Sequence, residues 1–316
     1  MSHQMKVYKG LDYVFQIKKP VITAGTFDGV HVGHQKIIQR IIQLADQLNG
    51  ESVVVTFDPH PRIVLFPDDH QVQMITTLDE KLGLLEKAGV QHVVIVPFTR
   101  DFSRITSFEF VKEILVGKLH VHQLVIGYDH QFGRNREGSI EQLKQLAPQF
   151  NFEIEEIPPQ DIDDIKVSST KIRNAILIGD IQTANTYLTR SFSFFGTVIK
   201  GQQIGRTLGY PTANIQLVEQ LKILPDMGIY AVKVIVDHMV LNGMMNIGKR
   251  PTFENDGDLS IEVHIFDLSL DLYGKQVTIE VVDRIRDEQK FNDAESLRLQ
   301  IQRDEMTAKR ILNLSA

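Results

Sequence analysis

Cysteine is missing from the chain's 316 residues. Disulfide frameworks, Cys-ligated zinc and thiolate nucleophiles are therefore excluded. No apolar run approaches the roughly eighteen residues of a membrane helix. Residues 1–20 are mixed and partly charged, without the apolar centre of a secretory signal. Basic residues are not in excess: 34 Lys and Arg stand against 40 Asp and Glu, a net charge of −6. A nucleic-acid binder usually carries a basic stripe, and none is present. Neither nucleic acid nor membrane is expected as a partner, and a cytoplasmic location is expected. A hydrophobic content of 42% and a charged content of 23% are those of an ordinary globular protein. The length allows two separate cores.

The two halves follow different patterns. In the first, short apolar runs alternate with amphipathic segments. Strands are predicted over residues 21–24, 52–57, 93–97, 124–127 and 152–157, and helices over 33–48, 77–87 and 107–116. Ile37, Ile38, Ile41, Ile42 and Ala45 make the buried face of the first helix. Thr77 with Glu80 forms a capping box for the second. This βαβ alternation predicts a mainly parallel, Rossmann-like sheet with helices on both faces and ligands at the strands' carboxyl ends. Two short helices, 169–177 and 181–188, lead to a boundary near 189–193, so domains 1–188 and 189–316 are expected. Beyond it, residues 194–200, 229–236, 239–247, 260–266 and 276–282 read as strands without full helices between them. Asp237-His238 makes a tight connection, and the pattern reads as an antiparallel barrel. A closing helix over 292–314 carries Leu297, Ile301, Ala308 and Ile311 on one stripe, which would cover the barrel.

The most informative stretch is Gly25-Thr26-Phe27-Asp28-Gly29-Val30-His31-Val32-Gly33-His34. It follows a strand and opens a helix. Residues three apart on a first turn face one way, and a helix N-terminus offers free N–H groups and a positive dipole end. Gly33 lets a phosphate approach the backbone. Phosphate contact is thus one reading of His31 and His34; zinc ligation and a purely structural pair are the others. Asp28 is the only neighbouring acid, and no third histidine is near in sequence. Phe57-Asp58-Pro59-His60-Pro61 is a stiff loop after the second strand, either a turn or a substrate wall. Ser168-Ser169-Thr170-Lys171-Ile172-Arg173 opens a helix with hydroxyls that cap it or bind phosphate, and with Arg173 for the same anion.

In the second half, Gly205-Arg206-Thr207-Leu208-Gly209-Tyr210-Pro211-Thr212-Ala213-Asn214 is glycine-rich but does not have P-loop spacing. It is a phosphate-wrapping loop or a plain barrel loop. Thr212 and Asn214 offer two oxygens to a hard cation such as Mg²⁺. Glu262 alternates with Ile261 and Val263. It is either an outward-facing acid or a general base.

These segments resemble the bacterial bifunctional riboflavin kinase/FAD synthetase family. Residues 25–34, Phe57 to Pro61, Gly127-Tyr128-Asp129-His130-Gln131-Phe132-Gly133 and Ser168 to Arg173 resemble its FMN adenylyltransferase module. His130 stands where that family usually has an aromatic. Gly205 to Asn214, Gly228-Ile229-Tyr230-Ala231, Asn246-Ile247-Gly248-Lys249-Arg250-Pro251-Thr252, Glu262-Val263-His264 and Tyr273-Gly274 resemble its riboflavin kinase module. Together they span roughly residues 7–312.

The resemblance implies a six-stranded barrel and two ATP-dependent reactions with Mg²⁺. Riboflavin would be phosphorylated to FMN with release of ADP. FMN would then be adenylylated to FAD with release of pyrophosphate. The alternative is that one module alone is active. It further implies that His31, His34 and Arg173 serve catalysis, with Gly25, Phe27, Asp28, Gly33, Phe57, Pro59, His60, Pro61, Asp129, Ser168, Ser169 and Thr170 around ATP or flavin. In the second module Glu262 is the implied base, and Thr212 and Asn214 lie near the metal. Gly205, Arg206, Gly209, Tyr210, Pro211 and Arg286 are the implied substrate contacts there. Flavins and adenine nucleotides are the expected partners, in a monomer or weak homo-oligomer.

Overall fold

The computed structural model describes residues 4–13, 16–68, 72–127, 132–134, 137–158, 167–201, 209–249, 259–267 and 270–314. The chain divides into two compact units. The first is Met1–Val72 with Thr76–Ser169, and the second is Gln73–Ile75 with Thr170–Ala316.

The first unit holds β1 (Lys6–Lys9), β2 (Pro20–Ala24), α1 (Val32–Leu48), β3 (Glu51–Asp58), α2 (Pro61–Leu65), α3 (Leu78–Lys87) and β4 (His92–Pro97). Then come α4 (Ser107–Glu109), a π-helical stretch over Phe110–Val116, β5 (Gln123–Gly127), α5 (Ile140–Phe150) and β6 (Glu153–Ile157). The strands form one parallel sheet in the order β1-β4-β3-β2-β5-β6. Side chains alternate across it with period two. Ile22, Val53, Val55, Val94, Val96, Leu124 and Ile126 pack on one face against Phe110, Ile114 and Leu143. Val21, Val54, Val93 and Val125 pack on the other against Ile38, Ile41 and Leu85. The order reverses between β2 and β5, and the carboxyl ends there are the switch point at which such sheets bind ligands.

The capping box of Thr77 and Glu80 is present. The helix predicted over 107–116 is α-helical only in its first turn and then winds as a π-helix, burying Phe110, Val111, Ile114 and Leu115 together. Besides the short α2, three elements of the fold are silent in the periodicity. β1 is an edge strand with a mostly exposed pattern. α5 contains Pro148 but is capped by Ser139 and ended by a left-handed Asn151. The third lies in the barrel.

The second unit holds α6 (Ser169–Leu177, whose first residue still groups with the first unit) and α7 (Ile181–Leu188). They lead to β7 (Phe192–Ile199), β8 (Ala213–Leu217), β9 (Gly228–Val236), β10 (Met239–Lys249), β11 (Leu259–Ile265), β12 (Gln276–Arg286) and α8 (Ala294–Ile311). The six strands close antiparallel in the order β10-β11-β8-β7-β12-β9. The strand that pattern alone did not reveal is β8, which follows Pro211-Thr212 and carries Asn214. The Asp237-His238 connection has positive φ at both residues, 47° and 66°, as a tight hairpin requires. Tyr230, Val232, Met245, Ile247, Ile261, Val263, Ile279 and Val281 are buried and fill the barrel. α8 covers its outside through Ala308 and Leu312, packed with Ala231, Met244 and Phe266. Both expected architectures, the Rossmann-like sheet and the helix-covered barrel, are therefore present.

Candidate active sites

The first site begins where β2 ends. The turn into α1 has positive φ at Phe27 (48°), Gly29 (86°) and Val30 (41°). A β-branched residue in that region is strained, and strain of this kind gathers at functional loops. Asp28 is buried, and its Oδ1 accepts the Thr76 N–H at 3.0 Å and the Thr76 hydroxyl at 3.2 Å. The Gly29 N–H donates to the same hydroxyl at 3.0 Å. The loop is thereby pinned, and Asp28 acts within it as an anchor.

His31 caps α1: its Nδ1 accepts the His34 N–H at 3.4 Å. The two imidazoles stack with centroids 3.6 Å apart and planes 17° apart. The Phe27 ring meets His34 edge-on at 5.1 Å. His34 Nδ1 is buried and has no hydrogen-bond partner among the described residues. Burial, then the charges of His31 and Lys81, push His34 well below the ordinary imidazole value. An imidazole held neutral at His34 and stacked on His31 at a helix N-terminus is suited to hydrogen-bonding anionic oxygen.

Phe57, next to last in β3, packs with Phe98 and Phe102, at 5.7 and 5.9 Å. His60 caps α2, accepting the Arg62 N–H on Nδ1 at 3.2 Å, and Pro61 takes the first helical position with Pro59 exposed before it. Ser169 donates to the Asp28 carbonyl at 3.0 Å. That contact brings the start of α6 to the histidine loop. Ser168 is half-buried and Thr170 exposed. Arg173 groups with the second unit and donates from Nε to the Gln73 carbonyl at 2.9 Å. Gly25 pairs with Val55 at 2.9 Å, and Gly33 is buried in the first turn of α1. Asp129, Gly205 and Arg206 lie outside the described residues, as do Tyr128, His130 and residues 250–252.

The second site is a row across three barrel strands. Register sets Asn246 of β10 opposite Glu262 of β11, and Glu262 opposite Asn214 of β8. Opposed residues share a face. Because Ile261 and Val263 fill the barrel, the row lies on its outer side. Thr212 donates its hydroxyl to Glu262 Oε2 at 3.2 Å. Asn214 is buried, and a Cβ on Gly201 would displace its amide. Asn246 Oδ1 is buried without a hydrogen-bond partner among the described residues. His264 hydrogen-bonds the Pro211 carbonyl at 2.8 Å and packs edge-on to Tyr210 at 5.1 Å. Gly209 has φ +86°. A hydroxyl, a carboxylate and two amide oxygens make a donor set that fits Mg²⁺, which takes oxygen ligands and keeps waters.

Arg286 is held by α8. Its guanidinium forks onto Asp304 of α8 at 2.7–3.0 Å, and Nη1 donates to the Asp287 carbonyl at 2.8 Å. Residues that sequence reasoning passed over are Lys81, buried at 6% exposure, Thr56 beside it, and Asn246 in its acceptor role. A lysine within an amphipathic helix reads as a solvated residue, so only burial singles out Lys81.

A FAD synthetase family model matches residues 15–171, and a riboflavin kinase family model matches residues 188–312. The bifunctional riboflavin kinase/FMN adenylyltransferase of Haemophilus influenzae is 38% identical over 311 residues, covering 98% of this chain and all of that one (100%). The enzyme of the same name from Listeria monocytogenes is 40% identical and covers 90% of each chain. That of Escherichia coli K12 is 35% identical, covering 98% of this chain and 99% of its own. A crystal structure from Streptococcus pneumoniae, named a macrolide-efflux protein, superposes with a TM-score of 0.87 at 32% identity over 97% of this chain and 99% of that one. No described helix here is long and apolar enough to cross a membrane. With both family models matched in order along the chain and relatives of this identity spanning nearly all of it, the chain belongs to the bacterial bifunctional riboflavin kinase/FMN adenylyltransferase (FAD synthetase) family.

Proposed function

We propose that the chain performs both reactions of its family, riboflavin phosphorylation and FMN adenylylation, at two separate sites. Residues 189–316 would carry the first reaction and residues 1–188 the second. The carrying observation is that the His31/His34 loop of the first unit and the Thr212/Asn214/Glu262 row of the second are unlike constellations, each matched to a different nucleophile.

Riboflavin's 5′-hydroxyl is an alcohol and is far from ionised at neutral pH. Its attack on the γ-phosphate of ATP needs a base. Glu262 is that base. Thr212, hydrogen-bonded to its Oε2 at 3.2 Å, orients the carboxylate. Thr212 and Asn214 would hold Mg²⁺, which supplies charge neutralisation on the nucleotide phosphates. Gly209, Tyr210 and Pro211, with Gly205 and Arg206, form the substrate loop.

FMN presents a phosphate that is already ionised and nucleophilic. Its attack on the α-phosphorus of ATP calls for alignment and charge stabilisation rather than a base. His31 and His34 donate hydrogen bonds to the phosphoryl and departing pyrophosphate oxygens. The N–H groups of α1's first turn add to them. Ser168, Ser169, Thr170 and Arg173 are the further phosphate contacts. Phe57, Pro59, His60 and Pro61, with Asp129, wall the flavin and adenine. A cytoplasmic enzyme that works as a monomer or weak homo-oligomer completes the reading.

The test is a time course of purified protein with Mg²⁺-ATP and either riboflavin or FMN, with the three flavins separated by chromatography. Riboflavin passing through FMN to FAD, and FMN alone giving FAD, supports both sites. Absence of either product removes the corresponding site assignment.

A further inference from the structure

Lys222, in the loop between β8 and β9, is 4% exposed and has no part in the chemistry above. Burying an ammonium is costly, and an apolar side chain would fill the same space without that cost. The ammonium reaches Gln73–Ile75, a short segment that groups with the second unit although its neighbours on both sides group with the first. The three carbonyls of that segment are taken in succession. Arg173 Nε donates to Gln73 at 2.9 Å, the Ile223 N–H to Met74 at 3.0 Å, and Lys222 Nζ to Ile75 at 2.7 Å. The Met74 N–H donates in turn to the Leu221 carbonyl at 2.7 Å. The Lys222 ammonium also lies over the Phe192 ring, 5.0 Å from its centroid.

The residue after this anchored segment is Thr76, which holds the Asp28–Gly29 turn through hydrogen bonds of 3.0–3.2 Å. That turn has positive φ at Phe27, Gly29 and Val30 and leads into His31. A strained turn persists only where its surroundings over-determine it. We propose that Lys222 is a positioning residue for adenylyl transfer: its bond to the Ile75 carbonyl fixes Thr76, and Thr76 fixes the turn that presents His31 and His34. The inference rests on the reading that this histidine pair contacts the nucleotide phosphates. A residue within the span matched by the riboflavin kinase model thus serves the other reaction. Removing the ammonium takes a donor from the buried Ile75 carbonyl, and the backbone shifts to replace it. In-line transfer is sensitive to such shifts, a misplacement of about 1 Å costing about a hundredfold.

The experiment is a double-mutant cycle on the full chain, with Lys222→Met, Thr76→Val and the two combined. Each preparation is checked for folding by thermal melts. Each is assayed for FAD formation from FMN and for FMN formation from riboflavin. In Lys222→Met, kcat for FAD formation is expected to fall roughly tenfold, with KM for FMN little changed. Thr76→Val shows a similar loss. The combined variant loses no more than the larger single loss, because both changes cut one line of contacts. FMN formation from riboflavin keeps its wild-type rate in all three. Losses that multiply in the combined variant show a general loosening and overturn the inference. Unchanged FAD formation in folded Lys222→Met overturns it too, as does an equal loss of both activities. Should Lys222→Met not fold, Lys222→Gln, with a shorter and uncharged side chain, takes its place in the cycle. His31→Ala and His34→Ala separate the two readings. FAD formation retained in them removes the phosphate reading itself, whereas its loss, together with multiplying losses in the cycle, removes this inference alone.

Discussion

Replacing Glu262 by glutamine tests the division of labour most directly. The change is isosteric, so the row Asn246–Glu262–Asn214 keeps its shape. Thr212 can still donate to the new amide oxygen in place of Oε2, now at 3.2 Å. What that contact loses is its charge assistance, about 1 kcal/mol. The proton acceptor is lost altogether. General-base catalysis contributes about 10²–10⁴-fold, which corresponds to roughly 3–5 kcal/mol of barrier. The second term dominates, so kcat for riboflavin phosphorylation is expected to fall by at least about a hundredfold while KM for riboflavin changes little. FAD formation from supplied FMN is expected to stay at the wild-type rate, because the histidine site lies in the other unit. Initial rates with riboflavin or FMN as sole flavin, read by chromatography, measure both. A kcat loss below roughly tenfold would remove Glu262 as the base. Equal loss of both activities in folded protein would refute the separation of the sites.

His31→Ala and His34→Ala should show the reverse pattern, with FAD formation down about 10²–10³-fold per lost donor and riboflavin kinase retained; His31→Ala also loses the α1 cap, about 1 kcal/mol, visible as a lower melting temperature. Asp304→Ala leaves the Arg286 guanidinium, 16% exposed, without its buried carboxylate, and should cost about 3–5 kcal/mol in denaturant unfolding, a loss under about 1 kcal/mol being inconsistent with a buried fork. Acid should weaken the first unit. Burial depresses His92 and His34 below the ordinary imidazole value, so the unfolded chain binds more protons as pH drops through about 6.5 and stability falls with it. His92→Gln should flatten that slope in thermal melts between neutral and mildly acidic pH, and an unchanged slope would show that His92 is not a source of it.

Much of this protein was legible in its sequence. Continuous short apolar runs mark β2–β5 because each is buried on both faces of a parallel sheet, and alternation marks most barrel strands because each has one wet face. Helices α6 and α7 were read with the bounds Ser169–Leu177 and Ile181–Leu188 found in the structure. The histidine motif could be placed at a helix start because local chemistry sets helix starts: His31 caps α1 with its own side chain. Where local signals are weak, the elements are set by tertiary contacts. β1 pairs on one edge and buries little. β8 is five residues long and begins as a loop motif ends. α5 carries a proline, and its existence depends on Leu143, Leu146 and Ala147 finding the sheet.

What the sequence determined by itself is the set of elements and the chemical character of each site, because periodicity, capping and residue type act over a few neighbours. Only the tertiary structure decided which of those groups meet. Barrel register sets Asn246 beside Glu262 and Asn214, although 16 and 48 residues separate Glu262 from them along the chain. Packing of α3 against the sheet turns Lys81 from an apparent surface residue into a buried charge. Closure of α8 over the barrel commits Arg286 to Asp304. Burial and cross-strand pairing are properties of distant segments brought together, and no local pattern encodes the electrostatic consequence.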